Sequence, residues 1–107
     1  MMGEIVIVGY KPKPGKEAEL DALMRTHVQR LRDEGLATAR EPVLMKSLDG
    51  TIVEVFEWVS QEAIDSAHLN SNVVEMWGEY SEVSDYVSLG ELPEAQYLFA
   101  QFESFRP

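Results

Sequence analysis

Residues Glu4–Tyr10 open the chain as a predicted strand, because Ile5, Val6, Ile7 and Val8 form an apolar, β-branched run suited to burial on both faces. Lys11-Pro12-Lys13-Pro14-Gly15 breaks it. A helix is expected from about Lys16 to Glu34, with Gly35 as its stop. Leu20, Leu23, Met24, His27 and Leu31 fall on one stripe of that helix.

Pro42–Leu48 and Thr51–Val59 read as two strands joined by a two-residue Asp49-Gly50 turn. That register sets Leu48 opposite Thr51 and Met45 opposite Glu54. One face then carries Val43, Met45, Ile52, Glu54, Phe56 and Trp58, and the other Leu44, Leu48, Val53, Val55 and Val59. Ser60 is a candidate N-cap for a short helix through His68. Asn72 and Glu75 suggest a second start, for a helix running to about Val87. Leu89-Gly90-Glu91-Leu92-Pro93 is a loop, and Ala95–Phe105 a final strand.

The expected order is β-α-β-β-α-β: an α+β, ferredoxin-like chain with a four-stranded antiparallel sheet. Helices cover one face of such a sheet, yet three strands are apolar on both. Each large side chain left in water forgoes about 1.5–3 kcal/mol. A second copy, sheet against sheet, removes that loss, so a C2 homodimer is expected.

Length and charge narrow the function. The 107 residues predict a single domain, 1–107. Nine basic and nineteen acidic residues give a net charge of −10, and the excess is concentrated in residues 41–107, which sum to −11. Nucleic acid requires a basic footprint and is excluded as a partner. An anionic membrane surface is disfavoured for the same reason. No apolar run reaches bilayer length and no secretory signal opens the chain, so a cytoplasmic location is expected. The absence of cysteine removes disulfides, thiolate metal sites and cysteine nucleophiles.

Three stretches carry a resemblance. They are the Pro14-Gly15-Lys16 turn, the run Glu57-Trp58-Val59-Ser60-Gln61-Glu62-Ala63-Ile64 leading into Ala67-His68, and the closing Tyr97-Leu98-Phe99-Ala100-Gln101-Phe102. In these the chain resembles the antibiotic biosynthesis monooxygenase-like superfamily of dimeric α/β barrels. The resemblance implies a small oxygenase. Some members oxidise polycyclic phenols to quinones with neither metal nor flavin, others open haem, and related barrels isomerise lactones. The cofactor-free route implies an electron-rich substrate that itself reduces oxygen once deprotonated. The protein supplies a water-poor pocket, a base and donors for the developing anion. Haem-degrading relatives carry an Asn in the first strand region, where this chain has none.

The candidate catalytic residues are His68, Glu54 and His27. His68 holds the Ala-His position shared with the family, at the edge of the short helix's apolar side. Glu54 is the one carboxylate on a face with Ile52, Phe56 and Trp58, where closure would raise its pKa. His27 sits in an apolar stripe, and histidine is the residue type suited to proton transfer near neutral pH. Trp58, Trp77, Tyr80 and Phe56 are candidate walls for an aromatic substrate, with indole N–H and phenol O–H as donors. Each also has a plain structural use in a core.

Other chemistries fall away. Gly9 to Gly15-Lys16 has the wrong spacing for a phosphate loop and places Glu17 where Ser or Thr must meet magnesium. No spacing supports a two-histidine, one-carboxylate iron site, and no nucleophile elbow appears. No metal and no cofactor are expected. The lead expectation is a cofactor-independent monooxygenase for a small aromatic or quinol-type substrate. A non-catalytic module that binds a small ligand in the same pocket, and an assembly protein with a filled core, are the other classes.

Overall fold

A computed structural model describes residues 3–107. The strands are β1 (Glu4–Pro12), β2 (Val43–Lys46), β3 (Ile52–Trp58), β4 (Ser84–Val87) and β5 (Glu103–Ser104). The helices are α1 (Glu17–Met24), α2 (His27–Asp33), α3 (Gln61–Ala67) and α4 (Ser71–Val83). The fold is mixed α+β, with one antiparallel sheet in the order β4-β1-β3-β2-β5. The sheet has five strands where the sequence pattern predicts four.

β1 and β3 form the centre, with Val6 opposite Phe56, Val8 opposite Glu54 and Tyr10 opposite Ile52. These side chains share the face that meets the helices, as side chains alternate along a strand. Leu20, Met24, Val28 and Leu31 from α1 and α2, and Val73, Met76, Tyr80 and Val83 from α4, complete the core. On the opposite face Ile5, Ile7 and Val43 remain 55%, 52% and 54% exposed.

Four expectations are corrected. The helix predicted across Lys16–Glu34 is two helices, separated at Arg25 and Thr26, whose N–H groups donate to carbonyls three residues back at 3.3 Å. The break makes His27 the first residue of α2, with its side chain buried. The expected stop at Gly35 is present, with φ +74° and the Leu36 N–H donating to the Leu31 carbonyl at 2.9 Å.

The β2–β3 connection has three residues, Leu48-Asp49-Gly50, with Ser47 opposite Thr51. Ser47 N–H donates to Thr51 O at 2.8 Å and Gly50 N–H to Ser47 O at 3.0 Å. Asp49 Oδ1 accepts from Thr51 N–H at 2.9 Å, and Gly50 takes φ +91°, the left-handed value that such a loop requires. The Asp side chain thus spends its hydrogen bond on tightening a longer loop. One residue of slip turns every β2 side chain over. Leu44, not Met45, therefore lies beside Glu54, and Val43 and Met45 point to the opposite face.

α4 starts two residues early, at an Asn70 cap whose Oδ1 accepts from the N–H groups of Asn72 and Val73 at 3.0 and 3.2 Å. It ends at Val83, and residues 84–87 are β4 on the free edge of β1. With that edge taken, the predicted strand Ala95–Phe105 has no long partner. It becomes a single 3₁₀ turn (Pro93–Gln96), an irregular run with Tyr97, Leu98 and Phe99 exposed, and the two-residue β5 on β2. Glu94 pins this segment to the β2–β3 loop, accepting from Ser47 Oγ at 2.7 Å and Leu48 N–H at 2.8 Å. Among the described residues, no helix is long and apolar enough to cross a membrane.

Candidate functional site

A polar cluster interrupts the core where β1, β3 and α2 meet. Glu54 is 1% exposed, His27 3% and Tyr10 2%. The Tyr10 hydroxyl donates to Glu54 Oε1 at 3.0 Å. His27 Nδ1 lies 2.8 Å from the same oxygen, close enough for an ion pair although its N–H direction is out of line for a hydrogen bond. A buried carboxylate needs such partners, since a buried charge without them is strongly destabilising.

Local structure places each of the three. The β1–β3 register sets Val8 opposite Glu54 and carries Tyr10 one pleat further on the same face. The break before α2 turns His27 into the core. α2 is held against α4 by Arg30, whose two terminal nitrogens each donate to a Glu79 carboxylate oxygen at 3.0 Å. That hydrogen-bonded pairing raises the Arg30 pKa and holds Glu79 below the ordinary carboxylate value.

The cluster backs an open cavity of about 190 Å³ lined by Val6, Val8, Tyr10, His27, Phe56, Trp58, Trp77 and Tyr86. Rings dominate it. The His27 ring meets Phe56 edge-on at 5.4 Å between centroids, and Phe56 meets Trp58 at 5.5 Å. His27 lines the cavity with its Nδ1 toward Glu54, so a hydrogen bond from the ring to a ligand would fall to Nε2. An apolar cavity of about 150 Å³ holds benzene, so this one has room for a single aromatic ring and small substituents.

The residues singled out from sequence divide clearly. His27, Phe56, Trp58 and Trp77 line the cavity, and Glu54 stands directly behind His27 and Tyr10. Tyr80 is buried behind the wall, 5.2 Å from the His27 ring and 5.3 Å from that of Tyr10, and its hydroxyl has no hydrogen-bond partner among the described residues. His68 does not join them. It is exposed at the end of α3, and its ring lies against Trp77 at 5.1 Å.

Sequence reasoning missed Tyr10 and Tyr86. Tyr10 carries a polar tip at the end of an apolar strand, which was a usable signal. Tyr86 is hidden in the sequence because the apolar stripe that ends at Val87 fits a helix as well as a strand. Among the described residues, no group of three or more His, Asp or Glu side chains is placed to hold a metal ion.

The three tyrosines around the cluster resist ionisation. Burial pushes the Tyr10, Tyr80 and Tyr86 hydroxyls up, and the Glu54 charge adds to it in each case. A tyrosine whose folded pKa exceeds its unfolded value of about 10 contributes stability that is complete below pH 10. That stability is lost as pH rises toward the folded values. In an alkaline titration followed by tyrosinate absorbance, the buried Tyr10 and Tyr80 are expected to ionise only with unfolding, in one cooperative step above pH ~10, while the exposed Tyr86 ionises in the folded protein. Smooth, independent ionisation of all four tyrosines without loss of structure would contradict the packing around Glu54.

No family model matches the chain, and neither does any curated protein. Among solved structures the chain is similar to that of Rv0793 from Mycobacterium tuberculosis. The TM-score is 0.59 at 24% identity, and the match covers 85% of this chain and 96% of that one. At that identity the likeness concerns the fold, a small α/β arrangement, and the fold defines the class of the protein only to that level.

Proposed function

We propose that the chain is a cofactor-independent monooxygenase for a small, single-ring phenol or quinol, bound in the aromatic cavity. The observation that carries this reading is the buried Glu54 carboxylate directly behind His27, on the wall of a cavity made of rings. His27 takes the phenolic proton at Nε2, and Glu54 stabilises the imidazolium at Nδ1. The phenolate then gives electrons to dioxygen. One oxygen atom enters the ring and the other leaves as water, together with the hydrogen displaced from carbon and the proton held on His27. The product is the quinone. The aromatic walls keep water from the face of the ring that packs against them.

The test is oxygen uptake with substituted hydroquinones and phenols, metal chelated, alongside fluorescence titration of the cavity tryptophans. Uptake above the uncatalysed rate supports the reading. Binding with no uptake transfers the site to the other class, a small-ligand binding module. Neither binding nor uptake across the panel rejects an aromatic site.

The same proposal extends to the assembly, a ferredoxin-like domain paired into a dimeric α/β barrel. The strand order β4-β1-β3-β2 fits it. So does the row Ile7, Val55 and Val43, opposite one another across three strands on the face without helices. Half-exposed Ile5, Ile7 and Val43 are apolar surface that a second copy covers. Ile7→Lys is expected to convert a dimer into a folded monomer at micromolar concentration by light scattering. A wild-type monomer there rejects the dimer.

A further inference from the structure

We infer that the phenol taken by this cavity carries an ammonium group on a short chain, held against the rings at the Trp58 end and facing Glu4. The inference rests on the reading of the cavity as a phenol site and names the substrate class within it. The walls include the rings of Tyr10, Phe56, Trp58, Trp77 and Tyr86 and no Lys or Arg. These rings do not lie in one stack: Tyr10 is turned 49° from Tyr86, and Phe56 46° from Trp58. His27 meets Tyr10 and Phe56 edge-on, at 75° and 89°. Walls that turn in this way fold around a ligand. The face of an aromatic ring attracts a cation, most strongly at Trp.

The two ends of the cavity differ. Glu4, Val6, Val8 and Tyr10 share one face of β1, with Glu4 opposite Trp58 and Val8 opposite Glu54. Four residues of strand, about 13 Å, separate Glu4 from Val8. The His27–Glu54 pair therefore stands at one end and the exposed Glu4 carboxylate at the other. A phenol with its hydroxyl at His27 extends a para substituent toward Trp58 and Glu4, where an ammonium meets an indole and a carboxylate. The charge of the whole chain acts in the same sense. A net charge of −10 draws in a cationic substrate and repels an anionic one.

Three phenols of nearly equal size test this: tyramine carries an ammonium, tyrosol a neutral hydroxyl, and 4-hydroxyphenylacetate a carboxylate. Each is titrated into the whole protein by calorimetry. Tyramine is expected to bind about tenfold more tightly than tyrosol, the effect of a partly desolvated cation on aromatic rings. 4-Hydroxyphenylacetate should bind more weakly than either. Glu4→Gln, a change to an exposed side chain, is expected to narrow the tyramine-to-tyrosol ratio about threefold. Trp77→Leu should narrow it further, and Glu4→Gln decides alone if that variant does not fold. Equal affinity for tyramine and tyrosol overturns the ammonium site and leaves the phenol site standing. A tyramine preference untouched by the variants places the cation elsewhere on the acidic surface and overturns the inference too. Binding of none of the three rejects the phenol site along with it.

Discussion

Glu54→Ala is expected to destabilise the fold by about 3–5 kcal/mol, the range for removing one partner of a buried charge pair. For a chain of this length that corresponds to a fall in melting temperature on the order of 20 °C. Three losses act together. The carboxylate that accepts from Tyr10 and faces His27 disappears, both partners remain buried, and a void opens beside Leu44 and Val8. Glu54→Gln keeps the volume and an oxygen for Tyr10, so it is expected to cost about 1–3 kcal/mol. Glu75→Ala, on the exposed side of α4, is expected to stay within about 0.5 kcal/mol of wild type. Urea unfolding of the three variants is the measurement. A Tyr10→Phe, Glu54→Gln cycle should return a coupling of about 0.5–3 kcal/mol for groups in direct contact. Glu54→Ala unfolding near the wild-type midpoint would mean that the carboxylate is not paired as described.

The pattern of apolar residues carried the central strands, because their signal is set by what surrounds them. β1 and β3 lie in the middle of the sheet, and their β-branched runs need no partner information to be read. Glu54 was legible for the same reason, as a charge among Ile52, Phe56 and Trp58. The errors fall where a local pattern has two physical solutions. Asp49-Gly50 suits a two-residue turn, but it also suits the end of a three-residue loop, and the difference reverses β2. Val83 and Val87 fit one helical stripe, but Val87 equally fits a strand opposite Gly9. Which solution holds depends on the vacant edge of β1, a tertiary fact. The alternation in Tyr97–Phe102 is real, yet β4 holds the long edge of β1, and only Glu103 and Ser104 pair, with the short β2. His68 was drawn to the site by its place in the resemblance. At the end of α3 its side chain turns outward onto Trp77, and the inward position belongs to His27.

His27→Ala is expected to lower quinol-driven oxygen uptake by about 10²–10⁴-fold, the usual contribution of a positioned general base. His68→Ala is expected to stay within about threefold, since it removes only an exposed ring behind one wall residue. The contrast follows from position. His27 lines the cavity with the Glu54 carboxylate 2.8 Å from its Nδ1, so an imidazolium formed on proton transfer would be stabilised where it arises. His68 has no carboxylate within ion-pair distance among the described residues and does not line the cavity. His27→Gln keeps a polar side chain of similar size beside Glu54 and separates folding from chemistry: it should bind the quinol with little change and still fail to turn it over. Loss of uptake in His68→Ala with retention in His27→Ala would move the chemistry to the outer side of Trp77. Equal retention in both would mean that the cavity binds an already ionised substrate and needs no base at all.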